Sequence, residues 1–220
     1  MEVRADTRNY WDVFRDRQRT GVAQAVIALV SEVEAPLTIA EIADRAGMSR
    51  RTFYKHFPTL GSAMVHTHRV VIEQILTHTQ HTQQADLNGL DRLLAGFRAL
   101  FDIAKERPEL IRFLSYFDFT FRRHGLTSEQ RAEFGARQTG HIVQLPMQAL
   151  QEGQADGTIR SDLDVRTTVV AMGNSVVGIL QRLQIMDEYT NGHDETAQRL
   201  FDLELEAWRT YLCHPRSRYA

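Results

Sequence analysis

The chain has 220 residues, 43% of them hydrophobic and 25% charged, which excludes a disordered protein. The 26 Lys and Arg against 28 Asp and Glu give a net charge of −2, so any contact with a polyanion must be local. The single cysteine, Cys213, excludes an internal disulfide and a multi-cysteine metal site. The charged N-terminus is not a signal peptide and no apolar run could span a bilayer, so we expect a cytoplasmic protein.

Helical periodicity runs through the whole chain, whereas the alternation typical of strands is nearly absent. Proline and glycine divide the sequence into about nine helical segments, which are short at first and then long. The predicted segments are 22–33, 39–46, 49–57, 61–82, 87–106, 108–121, 128–152 with a kink at Pro146, 165–186 and 194–212. Residues 153–164 are predicted to form a loop.

The segment from residue 38 to residue 57 has the layout of a helix-turn-helix. Its sequence, TIAEIADRAGMSRRTFYKHF, contains two short helices, and Ser49 is placed to cap the second. Gly47 allows the turn between them a positive φ. The apolar residues expected to lock the two helices together are Ile39, Ile42, Ala43, Met48, Phe53 and Phe57.

The second of these helices leaves a basic, hydroxyl-rich face open. Arginine can donate two hydrogen bonds to guanine in the major groove, and hydroxyl groups and histidine reach phosphate oxygens. We therefore expect this face to bind DNA, against the alternative of a solvated basic helix without a partner. Its residues are Ser49, Arg50, Arg51, Thr52, Tyr54, Lys55 and His56.

Residues 22–57 resemble the TetR/AcrR family of bacterial transcriptional regulators. The matching residues are Val22, Ala25, Thr38, Ile42, Ala43, Ala46, Gly47, Ser49, Thr52, Phe53, Tyr54, His56 and Phe57. The resemblance implies an all-α fold of about nine helices. It places an N-terminal three-helix helix-turn-helix DNA-binding domain at residues 1–60 and a larger helical bundle for ligand binding and dimerisation at residues 61–220.

The resemblance also implies roles and partners. The implied contacts are with bases for Arg50, Arg51 and Lys55, with Thr52 beside them, and with phosphates for Tyr54, His56 and Thr38. Leu60 and Gly61 stand where the family usually has a phosphate-binding lysine, so we expect the salt slope of binding to be smaller by about one. The implied partners are a near-palindromic DNA operator, a second copy of the chain, and a small molecule that releases a repressor from DNA.

Five arginines lie in the N-terminal arm before the first apolar stripe, and two interpretations of this arm stay open. Arg4, Arg8, Arg15, Arg17 and Arg19 would wrap the adjacent minor groove of DNA in the first interpretation. In the second, which interspersed aspartates favour, the arm is either a partly disordered tail or an extension of the first helix that packs Tyr10, Trp11 and Phe14 on the domain.

Two predictions concern the larger bundle. A ligand cavity is implied by the resemblance, and its candidate lining residues are Phe97, Phe101, Phe113, Phe117, Phe121 and His141, although aromatic residues at helical spacing are usually core. The last two helices are each apolar on two sides, so one side is expected in the monomer core and the other in a homodimer. The stripe assigned to the dimer interface is Val169, Met172, Val176, Leu180, Leu205 and Trp208.

No constellation of catalytic residues is found, and we expect neither an enzyme nor a bound cofactor or metal. His78 and His81 share a helix face, but no convincing third metal ligand joins them, and the histidines of this region are expected to be solvated. Two rival functions remain: a helical interaction protein whose basic head binds a protein, and an all-α enzyme with an incidental helix-turn-helix.

Overall fold

The structure, a computed structural model, describes residues 3–32, 36–81, 86–122, 125–132, 144–185 and 194–213. Within these ranges it contains helices and no strand, which confirms the all-α class. The helices are α1 (Val3–Glu32), α2 (Ile39–Arg45), α3 (Arg50–His56), α4 (Leu60–His81), α5 (Gly89–Glu106), α6 (Pro108–Phe121), α7 (Gln144–Asp156), α8 (Val165–Ile185) and α9 (Asp194–Cys213). Among them, none is both long and apolar enough to cross a membrane.

Local sequence signals set most helix boundaries. The Asn88 side chain caps α5 by accepting a hydrogen bond from the backbone N–H of Asp91. Pro108 begins α6, where a missing N–H costs nothing, and the acidic Glu109 in the first turn favours the positive end of the helix dipole. The loop predicted from residue 153 begins later, because α7 continues to Asp156.

The chain divides into two compact units. One contains residues 1–73 and 112–134, and the other contains residues 74–111 and 135–220. The helix-turn-helix belongs to the first unit, and helices α5, α7, α8 and α9 belong to the second. Helices α4 and α6 each contribute residues to both units.

The core of the first unit is built around α1 and the helix-turn-helix. Val22 and Val26 of α1 are fully buried, as are Phe53 of α3 and Met64 of α4. The predicted locking set is buried at Ile42, Ala43, Phe53 and Phe57, whereas Ile39 and Met48 are half-buried. Burial of this set gives α3 a defined position against α1 and α2.

In the second unit, α5 and α7 approach each other most closely at two glycines. A Cβ added to Gly89 would collide with the backbone N and Cα of Gly153 and would lie 2.7 Å from the carbonyl oxygen of Ala149. The Gly89 N–H donates to Asp156 Oδ2 at 2.8 Å. This hydrogen bond is the largest cause of the lowered pKa of Asp156, followed by those from Thr158. Gly153 is therefore a packing residue inside α7, which explains why the loop begins beyond it.

Candidate nucleic-acid interface

Side-chain caps fix the first turn of each helix of the helix-turn-helix. Thr38 caps α2 in a reciprocal capping box, since its backbone N–H donates to Glu41 Oε2 at 2.8 Å and its Oγ1 accepts from Glu41 N at 3.3 Å. The hydrogen bond from the Thr38 hydroxyl to Glu41 Oε2, followed by the one from the Thr38 N–H, lowers the pKa of Glu41. Ser49 caps α3 by accepting from Thr52 N at 3.1 Å, as predicted. Gly47 has a φ of 65°, which confirms the left-handed turn expected from the sequence.

The basic residues of α3 point into solvent. Arg50, Arg51 and Lys55 are all exposed, and none of the three forms an ion pair within the part of the chain that the structure describes. Tyr54 is also exposed. The exposed surface of α3 therefore carries three positive charges without an ion-pair partner among the described residues, and the buried Phe53 and Phe57 hold the helix in the core.

The hydroxyl groups assigned to DNA contacts already have partners in the protein. Ser49 Oγ and Thr52 Oγ1 lie 2.9 Å apart, and the Thr38 hydroxyl donates to Glu41 Oε2 at 2.7 Å. A phosphate would have to compete with a carboxylate for the Thr38 hydroxyl. The contacts of Thr38, Ser49 and Thr52 with DNA remain predictions.

His56 occupies the last turn of α3 and is half-buried. Burial lowers the pKa of its imidazole, and the positive charges of Arg19, Arg15 and Lys55 lower it further. The imidazole is thus surrounded by cations on two helices, which is the electrostatic setting of an anion-binding position.

Two contacts that the sequence did not reveal hold the helix-turn-helix in place. Arg19 of α1 donates to the backbone carbonyl of His56 at 2.9 Å, and its guanidinium lies 4.5 Å from the ring centroid of Phe57. The Tyr116 hydroxyl of α6 accepts from the Leu37 N–H at 2.8 Å, next to the cap of α2. Each joins residues far apart in the chain, so no local pattern marks them.

The N-terminal arm is helical from Val3 onward and extends α1. The expected packing of its aromatic residues is wrong for two of them, because Trp11 and Phe14 are 60% and 45% exposed and contact each other edge to face at 6.2 Å. The side chains of Arg4, Arg8 and Tyr10 lie outside the described residues.

The aromatic residues proposed to line a ligand cavity fall into two groups. Phe113, Phe117 and Phe121 belong to the first unit, where the ring centroid of Phe117 lies 6.2 Å from that of Phe113 and 4.7 Å from that of Phe121. Phe97 and Phe101 are buried in the second unit, where Phe101 packs on Phe201 at 4.8 Å. His141 lies outside the described residues, and the ligand-binding role of all six remains a prediction.

Two histidines of α4 are buried, which corrects the expectation that they are solvated. His66 is 3% exposed and His68 is 9% exposed. The His68 ring packs on Phe117 with centroids 4.6 Å apart. Burial in these surroundings lowers the pKa of His68 to about 4. His68 is therefore neutral in the folded protein at pH 7.

We expect His68 to make the protein lose stability as the pH falls below 6.5. Its pKa is about 4 in the folded protein against an ordinary value of 6.5, so between these values the unfolded chain binds the extra proton. The free energy of unfolding should fall by about 2 kcal/mol between pH 7.5 and pH 5 through this group. Urea unfolding of His68→Leu should show a weaker pH dependence over that range. Equal pH dependence in both proteins would contradict the assignment.

The stripe assigned to the dimer interface belongs to the monomer core. Met172, Val176 and Leu180 of α8 are at most 2% exposed, Val169 and Leu205 are 4% exposed, and Trp208 is half-buried. Side chains buried within one chain offer no surface to a second one, so the assignment is wrong for these five residues, whereas a dimer contact of Trp208 stays a prediction. The Trp208 indole N–H instead donates to Glu204 Oε1 at 2.7 Å within α9.

The opposite stripes of α8 and α9 are exposed. Val170 is 44% exposed, Leu200 is 41% exposed, and Leu203 is 67% exposed. A Cβ added to Gly173 or Gly178 would meet nothing within 4 Å. Both periodic stripes of each helix are apolar, so the sequence pattern could not decide which of them faces the core.

Comparison with known proteins agrees with this geometry. The family model of bacterial regulatory proteins, tetR family, matches residues 35–59, which contain the helix-turn-helix. No curated protein matches the sequence.

Solved structures are similar over most of the chain. A TetR family transcription regulator from Marinobacter aquaeolei VT8 is 22% identical, with a TM-score of 0.60 over 87% of this chain and 95% of the other. A bacterial regulatory protein in the tetR family from Rhodococcus RHA1 is 16% identical, with a TM-score of 0.61 over 86% and 95%. The transcriptional regulator FadR from Bacillus subtilis, in complex with stearoyl-CoA, is 14% identical, with a TM-score of 0.67 over 87% and 97%. The chain has the fold of these TetR-family structures, and its helix-turn-helix matches the family model of the tetR family of bacterial regulatory proteins.

Proposed function

We propose that this protein is a cytoplasmic, non-enzymatic transcriptional regulator that binds a near-palindromic DNA operator as a homodimer. It acts as a repressor, and a small molecule releases it. The observation that carries the proposal is the exposed face of α3, where Arg50, Arg51 and Lys55 have no ion-pair partner in the described structure. Buried phenylalanines hold this face outward, as recognition of base edges in the major groove requires.

Selection of bound fragments from the source genome tests this function. A regulator should enrich a small set of fragments, and footprinting should show protected half-sites about one helical turn apart. The affinity should fall as salt rises, because binding releases counterions from phosphates. No enrichment at low salt from a folded dimer would favour the rival in which the basic head binds a protein.

The homodimer is proposed to form through the exposed stripes of α8 and α9. Leu200, Leu203 and Ala207 recur at helical spacing on α9 and are exposed, and Val170 begins the corresponding stripe on α8. The open space beside Gly173 would let a helix of the second copy approach closely. This pairing would bury the largest exposed apolar side chains of the second unit.

Leu203→Glu should weaken the dimer roughly 100-fold, because each copy would bury an unpaired charge in the contact. Sedimentation velocity over a concentration series should show the wild type as a dimer and the variant as a monomer at micromolar concentration. Val13→Glu is a matched control, because Val13 is 61% exposed on α1, which belongs to the other unit. A monomeric wild type would contradict the dimer.

A small-molecule effector completes the proposed regulation. Bacillus subtilis FadR holds stearoyl-CoA in the same fold, which supports a ligand-binding role for a bundle of this architecture. An effector would release DNA only by binding more tightly to a conformation whose recognition helices no longer match two successive grooves. Retained operator binding in the presence of cell extract from every growth condition tested would contradict effector control.

A further inference from the structure

One face of α1 is buried in the core of the first unit at its C-terminal part and contacts the C-terminal end of α3 one turn earlier. Trp11, Arg15 and Arg19 follow one another at intervals of four residues and so share this face. The next apolar residues in the same direction, Val22 and Val26, are fully buried. Arg19 therefore stands where the face enters the core. Arg15 stands one turn earlier, with 63% of its side chain exposed and an exposed ion pair to Asp12 at 3.8 Å, which a phosphate would have to displace or share.

Arg19 contacts three residues at once. One guanidinium nitrogen donates to the carbonyl of His56 at 2.9 Å, in the last turn of α3. The other lies 3.4 Å from Nδ1 of His66, on α4. The guanidinium carbon between these two nitrogens lies 4.5 Å from the ring centroid of Phe57. Because this geometry uses both ends of the planar guanidinium, a lysine could make only part of it.

The C-terminal end of a helix is ordinarily a poor place for a phosphate. The last carbonyl groups carry partial negative charge and repel anions. The DNA-binding function proposed above nevertheless places phosphates near Tyr54 and His56, which lie in this part of α3. Arg19 offsets this repulsion, because it donates a hydrogen bond to the His56 carbonyl and adds a full positive charge. Lys55 and the exposed Arg15 add two more.

We propose that Arg15, Arg19, Lys55 and His56 form a phosphate-binding cluster shared by α1 and α3. Arg19 is its positioning residue, which holds the end of α3 from inside the protein. Arg15 binds a DNA phosphate directly, beyond the bases that α3 contacts. The cluster rests on the proposed DNA-binding function and supplies an anchor from α1, whereas the start of α4, with Leu60 and Gly61, offers no cation.

Affinity for the selected operator, measured by fluorescence anisotropy at several salt concentrations, tests the cluster. Arg15→Gln should reduce the slope of log affinity against log salt by about one per head and weaken operator and unrelated DNA alike. Arg19→Gln should weaken operator binding roughly tenfold, since a charged hydrogen bond is lost, and Arg19→Lys should restore part of that loss. Arg112→Gln is the matched control, because Arg112 is exposed on α6 and has no part in the cluster or the N-terminal arm.

The pH dependence of binding separates positioning from a general loss of fold. Arg15 and Arg19 on α1 and Lys55 on α3 all lower the pKa of His56, after burial. A phosphate favours the protonated imidazole, so affinity should rise as the pH falls, and Arg19→Gln should move this rise to higher pH. A mere loosening of the fold would weaken binding without that shift, and His56→Gln should abolish the rise.

The outcomes distinguish the cluster from the function on which it rests. A wild-type protein that binds no DNA would contradict both the proposed DNA-binding function and the phosphate-binding cluster. A wild-type protein that binds its operator, with Arg15→Gln and Arg19→Gln matching Arg112→Gln in affinity, salt slope and pH profile, would overturn the cluster alone. Circular dichroism establishes that each variant is folded; if Arg19→Gln is not, the salt slope of Arg15→Gln decides.

Discussion

Replacing Arg50, Arg51 and Lys55 together by alanine is expected to lower the affinity for the operator by more than roughly 100-fold. Each bidentate contact of a basic side chain with a base contributes about 1–3 kcal/mol of discrimination, and tenfold in affinity corresponds to about 1.4 kcal/mol. All three side chains are exposed and contribute nothing to the core, so the melting temperature should stay nearly unchanged. Binding titrations on operator and unrelated DNA, with thermal unfolding in parallel, provide the measurement.

A control of equal charge change makes this result specific. Arg112, Arg131 and Arg166 are also exposed, and they lie on elements outside the helix-turn-helix. Their replacement by alanine changes the net charge by the same amount. It should leave operator affinity within a few fold of the wild type at moderate salt, where distant charges are screened. Equal losses of operator affinity in both triple variants would indicate a general effect of net charge. An unchanged affinity in the variant of Arg50, Arg51 and Lys55 would contradict the assignment of α3 as the DNA-binding helix.

Gly89→Ala is expected to produce the largest loss of stability from a single methyl group. The new Cβ would overlap the backbone of Gly153 and crowd the Ala149 carbonyl. Backbone atoms cannot rotate away as a flexible side chain can, so α5 and α7 would have to separate. Overpacking of this kind costs about 3 kcal/mol. For a chain of this size that corresponds to a drop in the melting temperature of roughly 6–12 °C.

Gly96→Ala, in the same helix, should have the opposite effect. A Cβ at this position meets nothing within 4 Å, and the position lies in the interior of α5. Alanine there reduces the conformational freedom of the unfolded chain and raises the free energy of unfolding by about 0.5–1 kcal/mol. Urea unfolding of both variants compares the two sites directly. A similar small change at both would show that α5 and α7 do not meet closely at Gly89.

Features of the fold that depend on neighbouring residues could be predicted. The cap at Ser49, the turn at Gly47 and the start of α6 at Pro108 all appear where the sequence places them. In each case a side chain or a backbone restriction acts within a few residues, so the chain's local order contains the whole cause. The open basic face of α3 belongs to the same class, because helical spacing separates its charged residues from its buried ones.

Features of the fold that depend on distant residues could not be predicted from the sequence. The stripes of α8 and α9 are both apolar, and only the packing of α5, α8 and α9 in the second unit showed that Met172 and Val176 are buried while Leu203 is exposed. His68 is polar by composition, yet the ring of Phe117 covers it. Helical periodicity gives the direction of a side chain around the helix axis, but it does not identify the residues that pack against that side chain.

The sequence by itself therefore determined the helices, their caps and the basic surface of α3, because these follow from interactions between residues close together in the chain. Only the tertiary structure decided which apolar stripe is core, that His68 is buried and neutral at pH 7, and that Arg19 closes the end of α3 across 37 residues of sequence. The physical reason is that burial and desolvation depend on what packs against a residue, and long-range contacts alone set that.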